Sequence, residues 1–294
     1  MMSEKPDLPE GEHPEGVHPE GVHPEGGHKA VVWVGTSGFS FPDWVGTFYP
    51  KELSKAEWLA YYARHFPALE LNSSFYGIPS VKTMQRLCER TPPNFRFVVK
   101  ANRKTTHESA DAEVAGAFRE ALGPIIEAGR LHGVLAQFPW SFRNTPANLD
   151  YLVALAERTP DVQWFIEFRH RGWIVPEVGS VMREHKLGFV SVDEPQIGDM
   201  MPPVAKFTVP VAYLRLHGRN ADAWWGRGKG APSDRYDYLY TEDELQSWVG
   251  KIGRLAREVK EVLVFFNNCH RGQAAENATL MRSLLRELPN VEVL

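Results

Sequence analysis

Seven short hydrophobic runs, LELN, FRFVVK, GVLAQ, FIEFR, FVSVD, AYLRLH and LVFFNN, each close on a polar or charged group. They bring forward Glu70, Asn72, Lys100, Gln137, Glu167, Arg169, Asp193, Arg215, His217 and Asn267. These residue types suit acid–base chemistry on an anion. Lys100, Arg169 and Arg215 can hold a phosphate, carboxylate or sulfate, because guanidinium and ammonium donors match such oxygens in charge and geometry. Glu167 or Asp193 can take a proton, with burial and like charge lifting a carboxylate pKa, and His217 can donate one. Glu70, Asn72, Gln137, Asn267 and Tyr76, just beyond NSSF, are expected to bind and orient the substrate's polar groups. Glu167, Asp193 and His217 could instead hold a divalent metal through two oxygens and one imidazole. The three neighbouring cations weigh against tight metal binding, since they already neutralise the acids.

Such residues converge only if the runs are neighbouring parallel strands. With VVWVGTS opening the series there are eight runs, and amphipathic stretches separate most of them. The predicted strands are 31–36, 68–72, 95–100, 132–137, 162–169, 188–193, 211–217 and 261–267. Predicted helices cover 54–65, a stretch from Ser80, 111–130, 146–158, 176–185, 242–259 and 272–287. Ser54 with Glu57, and Thr241 with Glu244, have the spacing of capping boxes. The proline-rich stretch 194–210 after strand six has no helical period. The pattern predicts an α/β fold, a TIM-type (β/α)8 barrel over 29–294 with an irregular or missing sixth helix. Barrels of this kind carry their active sites at the C-terminal ends of the strands. A doubly wound open sheet shares the pattern, because periodicity does not show closure.

Strand side chains alternate faces, so Glu167 and Arg169 share one face, as do Arg215 with His217 and Glu70 with Asn72. Outer helices require apolar partners, which turns these polar sets into the lumen. Asp193, Lys100 and Gln137 are assigned inward by the same logic. Burying charge costs several kcal/mol per ion, so six lumen charges at one end favour a site over a purely structural network. His170 falls on the outward phase and is expected to be structural, or hydrogen-bonded to the loop around Trp173. His107, in KANRKTTH, is placed in a loop within reach of the mouth.

The formal net charge is −4 over 294 residues, but it is unevenly spread. Residues 1–28 hold seven acids against one lysine, leaving the remainder at a net +2. That is not the strongly basic face of a dedicated nucleic-acid binder, although a locally basic groove is compatible with it. The first 28 residues repeat HPEGV, with His13, His18, His23 and His28 in phase, and are expected to be a disordered tail. An acidic, proline-rich start and the lack of a long apolar run predict a cytoplasmic protein with no membrane partner. Cys88 and Cys269 have no disulfide or metal spacing, and no base is paired with Cys269 to make it a nucleophile. The loop 218–240, with Arg219, Trp224, Trp225, Arg227 and Lys229 around GRGKG, is read as a phosphate-side lid without a P-loop. Oligomeric state is not encoded in any of these features.

GTSGFSFPDWVGTFYP, LELNSSFYGIP, FRFVVKANRKTTH, LAQFPWSF, IEFRHRGW, LRLHGR and VFFNN together resemble the domain of unknown function 72 family, the YecE-like proteins. The resemblance runs from about residue 31 to about 280 and implies a TIM-type barrel. It implies no activity, beyond a likeness drawn to multi-metal barrel endonucleases. The expected function is therefore an enzyme, a hydrolase, lyase or isomerase, acting on a small anionic ligand. The alternatives are a nucleic-acid-binding or phosphodiester-processing protein and a non-catalytic ligand-binding barrel.

Overall fold

Parallel pairing carries the chain around a closed ring in a computed structural model that describes residues 29–108, 112–225 and 232–294. The strands are β1 (Ala30–Ser37), β2 (Ala68–Leu71), β3 (Arg96–Lys100), β4 (Leu131–Gln137), β5 (Trp164–Glu167), β6 (Gly188–Asp193), β7 (Val211–Leu216) and β8 (Glu261–Phe266). Each pairs with the next, and β1 pairs with both β8 and β2, so the barrel is closed. The sequence could not choose between closure and an open sheet; the β1–β2 register, Gly35 opposite Ala68 through Ser37 opposite Glu70, decides it. The fold is a TIM-type α/β barrel. The N-terminal repeat, with His13, His18, His23 and His28, lies outside the described residues, as do Arg227 and Lys229 of GRGKG.

Outside the ring stand α1 (Trp58–His65), α2 (Val81–Glu89), α3 (Arg103–His107), α4 (Ala112–Ala121), α5 (Gly123–Glu127), α6 (Pro146–Arg158), α7 (Pro176–Glu184), α8 (Glu242–Leu255) and α9 (Gln273–Leu285). Both capping boxes form: Ser54 with Glu57 opens a 3-10 turn before α1, and Thr241 with Glu244 opens α8. Helix α8 buries Leu245, Trp248, Val249, Ile252 and Leu255, the three- and four-residue spacing of a helix with one apolar face. The stretch 111–130 is two helices rather than one. Pro124 has no N–H to donate, so the chain restarts there with the proline in the first turn of α5. Residues 103–107 are helical where a loop was expected, because the Asn102 side chain accepts from Lys104 N and caps them.

Two further departures shape the barrel. A short β9 (Val291–Val293) pairs with β1 at Ala30–Val32, along the edge that β2 leaves open at that level. After β6 the chain runs extended instead of forming a helix, and Pro195, Pro202, Pro203 and Pro210 explain why. It hydrogen-bonds β6 directly: Lys206 N donates to Ser191 Oγ at 3.0 Å, and Phe189 N to Thr208 Oγ1 at 2.8 Å. The outer face of β6 is therefore covered by an extended segment that offers polar groups as well as apolar side chains. In the middle of the lumen Phe165, Tyr213 and Phe265 pack ring against ring. A Cβ on Gly133 would come within 2.6 Å of the Phe165 ring, so that glycine makes room for it. Among the described residues no helix is long and apolar enough to cross a membrane.

Candidate active site

The upper lumen is organised around Arg215, which is fully buried. Its Nε and Nη2 reach Glu70 on β2 at 2.7 and 2.6 Å, and its Nη1 pairs with Glu167 on β5. Tyr213, two residues earlier on β7, donates its hydroxyl to Glu70 from below. Glu167 also faces Arg169: its Oε1 lies 2.7 Å from Arg169 Nη2 and 3.2 Å from His217 Nε2. The first is a charge contact and the second a close approach, neither with good hydrogen-bond alignment, for Oε1 has no properly directed donor. Arg169 pairs in turn with Glu194. The network crosses the lumen from β2 through β7 and β5 to the end of β6. Removing these groups from water is expensive, so it persists only because every charge meets an opposite one.

Opposing terms set the protonation states. Burial pushes Glu70 and Glu167 up, but the guanidiniums outweigh it and hold both carboxyls below the usual range, Glu167 well below. They are fixed anions. Glu194 differs: burial and the nearby Glu167 lift it to about 7 against the pull of Arg169. Lys100, at the end of β3, is pushed down to about 7 by burial and then by Arg215. Its Nζ donates to Gln137 Oε1 at 2.8 Å and sits 4.7 Å from the centre of the Phe75 ring. Burial and Arg169 lower His217 to about 3, so its imidazole is neutral at physiological pH. Arg169 Nη2 lies 3.2 Å from His217 Nε2 and can only donate there, which leaves the ring proton on Nδ1, 2.9 Å from the Asn267 amide. Two groups thus titrate near neutrality in a framework that does not.

The structure brings together Glu70, Lys100, Gln137, Glu167, Arg169, Arg215, His217 and Asn267, and corrects the placement of Asp193. In register, Val192 is opposite Arg215 and Asp193 opposite Leu216, so Asp193 points out of the lumen. Outside, it accepts from Arg219 at 2.7 and 2.8 Å, Tyr240 Oη at 2.9 Å and Trp248 Nε1 at 2.6 Å. The inference that outward residues must be apolar fails on β6 because no helix follows it there. Glu194 takes the lumen position instead. A proline directly after it and the missing helical period were the signals that this strand was different. With Asp193 turned away, Glu167, Asp193 and His217 do not converge on one point. Among the described residues no group of three His, Cys, Asp or Glu side chains could hold a metal.

Other expectations sort by position. Asn72 directly follows Leu71, which pairs with Val99, and its Oδ1 is buried without a partner at the level of Lys100. Tyr76 is 83% exposed on the rim, and its neighbour Phe75 is the ring that meets Lys100. His107 lies on α3 against the other side of Phe75, 5.3 Å between ring centres. His170 accepts from Gly172 N at 3.0 Å in the turn before Trp173. Cys269 is buried and its thiol is pushed up by burial, which keeps it protonated and unreactive. Arg215 spends its donors on carboxylates, so it can influence an anion by its field but not grip one directly. From the loop after β7, Trp224 is buried over the site, 5.5 Å from the Arg169 guanidinium and 6.3 Å from the His217 ring. It closes the β5–β7 side. The β2–β4 side, with Asn72, Lys100 and Gln137 only partly covered, faces the opening.

Comparison with known proteins gives a consistent picture. A family described as "Protein of unknown function DUF72" matches residues 33–292. UPF0759 protein YunF of Bacillus subtilis is 33% identical over 270 residues, which cover 87% of this chain and 95% of that protein. UPF0759 protein YecE of Escherichia coli K12 is 27% identical over 145 residues, 48% of this chain and 49% of its own. A crystal structure of a DUF72 family protein from Thermotoga maritima superposes with a TM-score of 0.80 at 41% identity, covering 87% of this chain and all of that one. A second, from Enterococcus faecalis V583, superposes with a TM-score of 0.78 at 31% identity, covering 87% of this chain and 96% of that one.

Proposed function

The chain belongs to the DUF72 family, and on that footing we propose that it is an enzyme, a hydrolase, lyase or isomerase, acting by acid–base chemistry on a small anionic substrate at the barrel mouth. One observation carries the reading: Lys100 and Glu194, both shifted to about 7, flank a buried network of fixed charges at the C-terminal ends of the strands. Groups that titrate near the working pH are the ones that can both take and give a proton. Lys100 is the proton carrier that faces the opening. Asn72 and Gln137 orient the substrate, and Asn267 orients the neutral His217. Arg169 and Arg215 are held by Glu70, Glu167 and Glu194 and fix the charged framework beside the substrate. Trp224 keeps bulk water from the charged side, which strengthens every electrostatic term inside.

The test is a panel of phosphorylated and carboxylated metabolites followed by NMR for conversion. Conversion should depend on Lys100, with Lys100→Met losing at least about a hundredfold in kcat/KM while its far-ultraviolet circular dichroism stays native. Equal turnover in the variant would remove Lys100 from the mechanism. Saturable thermal stabilisation without conversion would leave a ligand-binding barrel and sink the enzymatic reading. A second reading rests on the rim, where Tyr76, Trp140 and Trp225 are exposed and the Arg143 guanidinium lies 3.4 Å from the Trp140 ring centre. Such rings can stack bases. Oligonucleotide binding that weakens with salt would favour nucleic acid as the partner.

A further inference from the structure

Lys100 is chemically unlike the cations around it. Arg215 pairs with Glu70 and Glu167, and Arg169 with Glu167 and Glu194. Among the described residues no carboxylate pairs with Lys100, and the hydrogen bond its Nζ makes goes to a neutral amide, Gln137 Oε1, at 2.8 Å. One side of the amine rests on the Phe75 ring. The strand holding it is fixed at its end, since Ser74 Oγ donates to Lys100 O at 2.6 Å and Asn102 Nδ2 to Ser74 O at 3.0 Å. The side chain is half-buried on the open side of the mouth, level with the unpartnered Oδ1 of Asn72. An amine without a direct counter-ion, on an apolar shelf, is set up as a nucleophile rather than as a salt-bridge partner.

We propose that Lys100 Nζ captures a small anionic carbonyl compound, an aldehyde or ketone bearing a carboxylate or phosphate, as a covalent imine. This rests on the acid–base reading of the same mouth and names its substrate class. The nitrogen lone pair adds to the carbonyl carbon, the nitrogen gives up one proton and the carbonyl oxygen takes one, giving a neutral carbinolamine. Loss of that oxygen as water, with a second proton, leaves the protonated imine; the C=O bond is exchanged for C=N and no redox partner is needed. The cationic imine then draws electrons from the adjacent carbon, which is the activation that a lyase or isomerase of carbonyl compounds requires. The amides of Asn72 and Gln137, partly covered on the same open side, are the groups that would donate to the anionic group. A lysine lowered to about 7 keeps a large share of free amine at neutral pH, which supports the assignment.

The experiment uses the full chain with pyruvate, glyoxylate and glycolaldehyde phosphate, each with cyanoborohydride, which reduces an imine to a stable secondary amine. Intact mass and tryptic mapping should find one adduct, on Lys100. It should form on the order of a hundredfold faster at neutral pH than on exposed lysines, from its larger share of free amine. Lys100→Arg should abolish it, and Lys104→Arg, at a neighbouring exposed position, should leave it unchanged. If Lys100→Arg fails to fold, the map of the unaltered protein still reads the site. Adducts spread over surface lysines, with Lys100 unlabelled by all three probes, overturn the proposal. Deuterium entering the pyruvate methyl without a Lys100 adduct overturns covalent capture and leaves the acid–base reading standing. Neither adduct, nor exchange, nor conversion of any metabolite in the panel overturns both.

Discussion

Both ends of the barrel lumen are polar, and they solve the problem of buried polarity in opposite ways. At the lower end, Glu261 accepts from Trp33 Nε1 and contacts His132 Nε2, each at 2.8 Å. The Arg96 guanidinium lies over the Trp33 ring at 5.6 Å rather than on a carboxylate. Glu261 keeps about a third of its side chain in water, and the His132 contact lowers its pKa. One partly solvated carboxylate held by an indole and an imidazole makes a plug. At the upper end three carboxylates and two guanidiniums are almost wholly removed from water, with a half-buried lysine beside them. There, Lys100 and Glu194 are driven towards their uncharged forms. The lower end moves its ionisable group towards charge, and the upper end holds two groups at the edge of losing it. That contrast marks the upper end as the site.

The contrast can be broken most directly at Arg215. Arg215→Met leaves Glu70 and Glu167 buried with less compensation and should cost about 3–5 kcal/mol in urea unfolding. A loss under about 1 kcal/mol would mean that the upper network is as lightly coupled as a surface pair.

A smaller effect concerns pH. Glu194 has a folded pKa of about 7, above its unfolded value, so the native state binds more protons between roughly 4.5 and 7. Its contribution to stability is complete below that window and is lost as pH rises through it. Glu194→Gln should flatten the pH dependence there by an amount on the order of 3 kcal/mol. His217 acts with the opposite sign: its folded value of about 3 lies below the unfolded one, so stability falls as pH drops from about 6.5 towards 3. An unchanged slope in Glu194→Gln, measured by urea titration at several pH values, would show that Glu194 titrates normally.

The smallest effect belongs to the plug. Glu261→Gln keeps an acceptor for Trp33 and should cost less than about 1 kcal/mol in the same unfolding assay, with no effect on Lys100 labelling. A loss as large as that of Arg215→Met would erase the distinction between the two ends.

Much of this was legible in the chain. On β2, β3, β4, β5 and β7 the alternation placed the polar residues inward correctly, because helices cover those strands and reject outward charge. It failed on β6, where an extended segment replaces the helix and Asp193 can face outward to Arg219, Tyr240 and Trp248. It also chose Tyr76 where Phe75 meets Lys100, since a 3-10 turn rotates the residues beyond β2 away from strand phase. The ninth strand, VEV after α9, is too short to stand out from a C-terminal tail.

By itself the sequence determined the period, the order and the caps of the elements, for these depend on neighbours a few residues apart. From them follow the eight parallel strands and the end of them that carries charge, while the β1–β2 pairing decided closure. The tertiary structure decided which charges meet. Arg215 meets Glu70 across 145 residues and Glu167 across 48, and with those carboxylates taken Lys100 is left with a neutral amide. A pKa is a sum over burial and every nearby charge, and that sum exists only once the ring has closed.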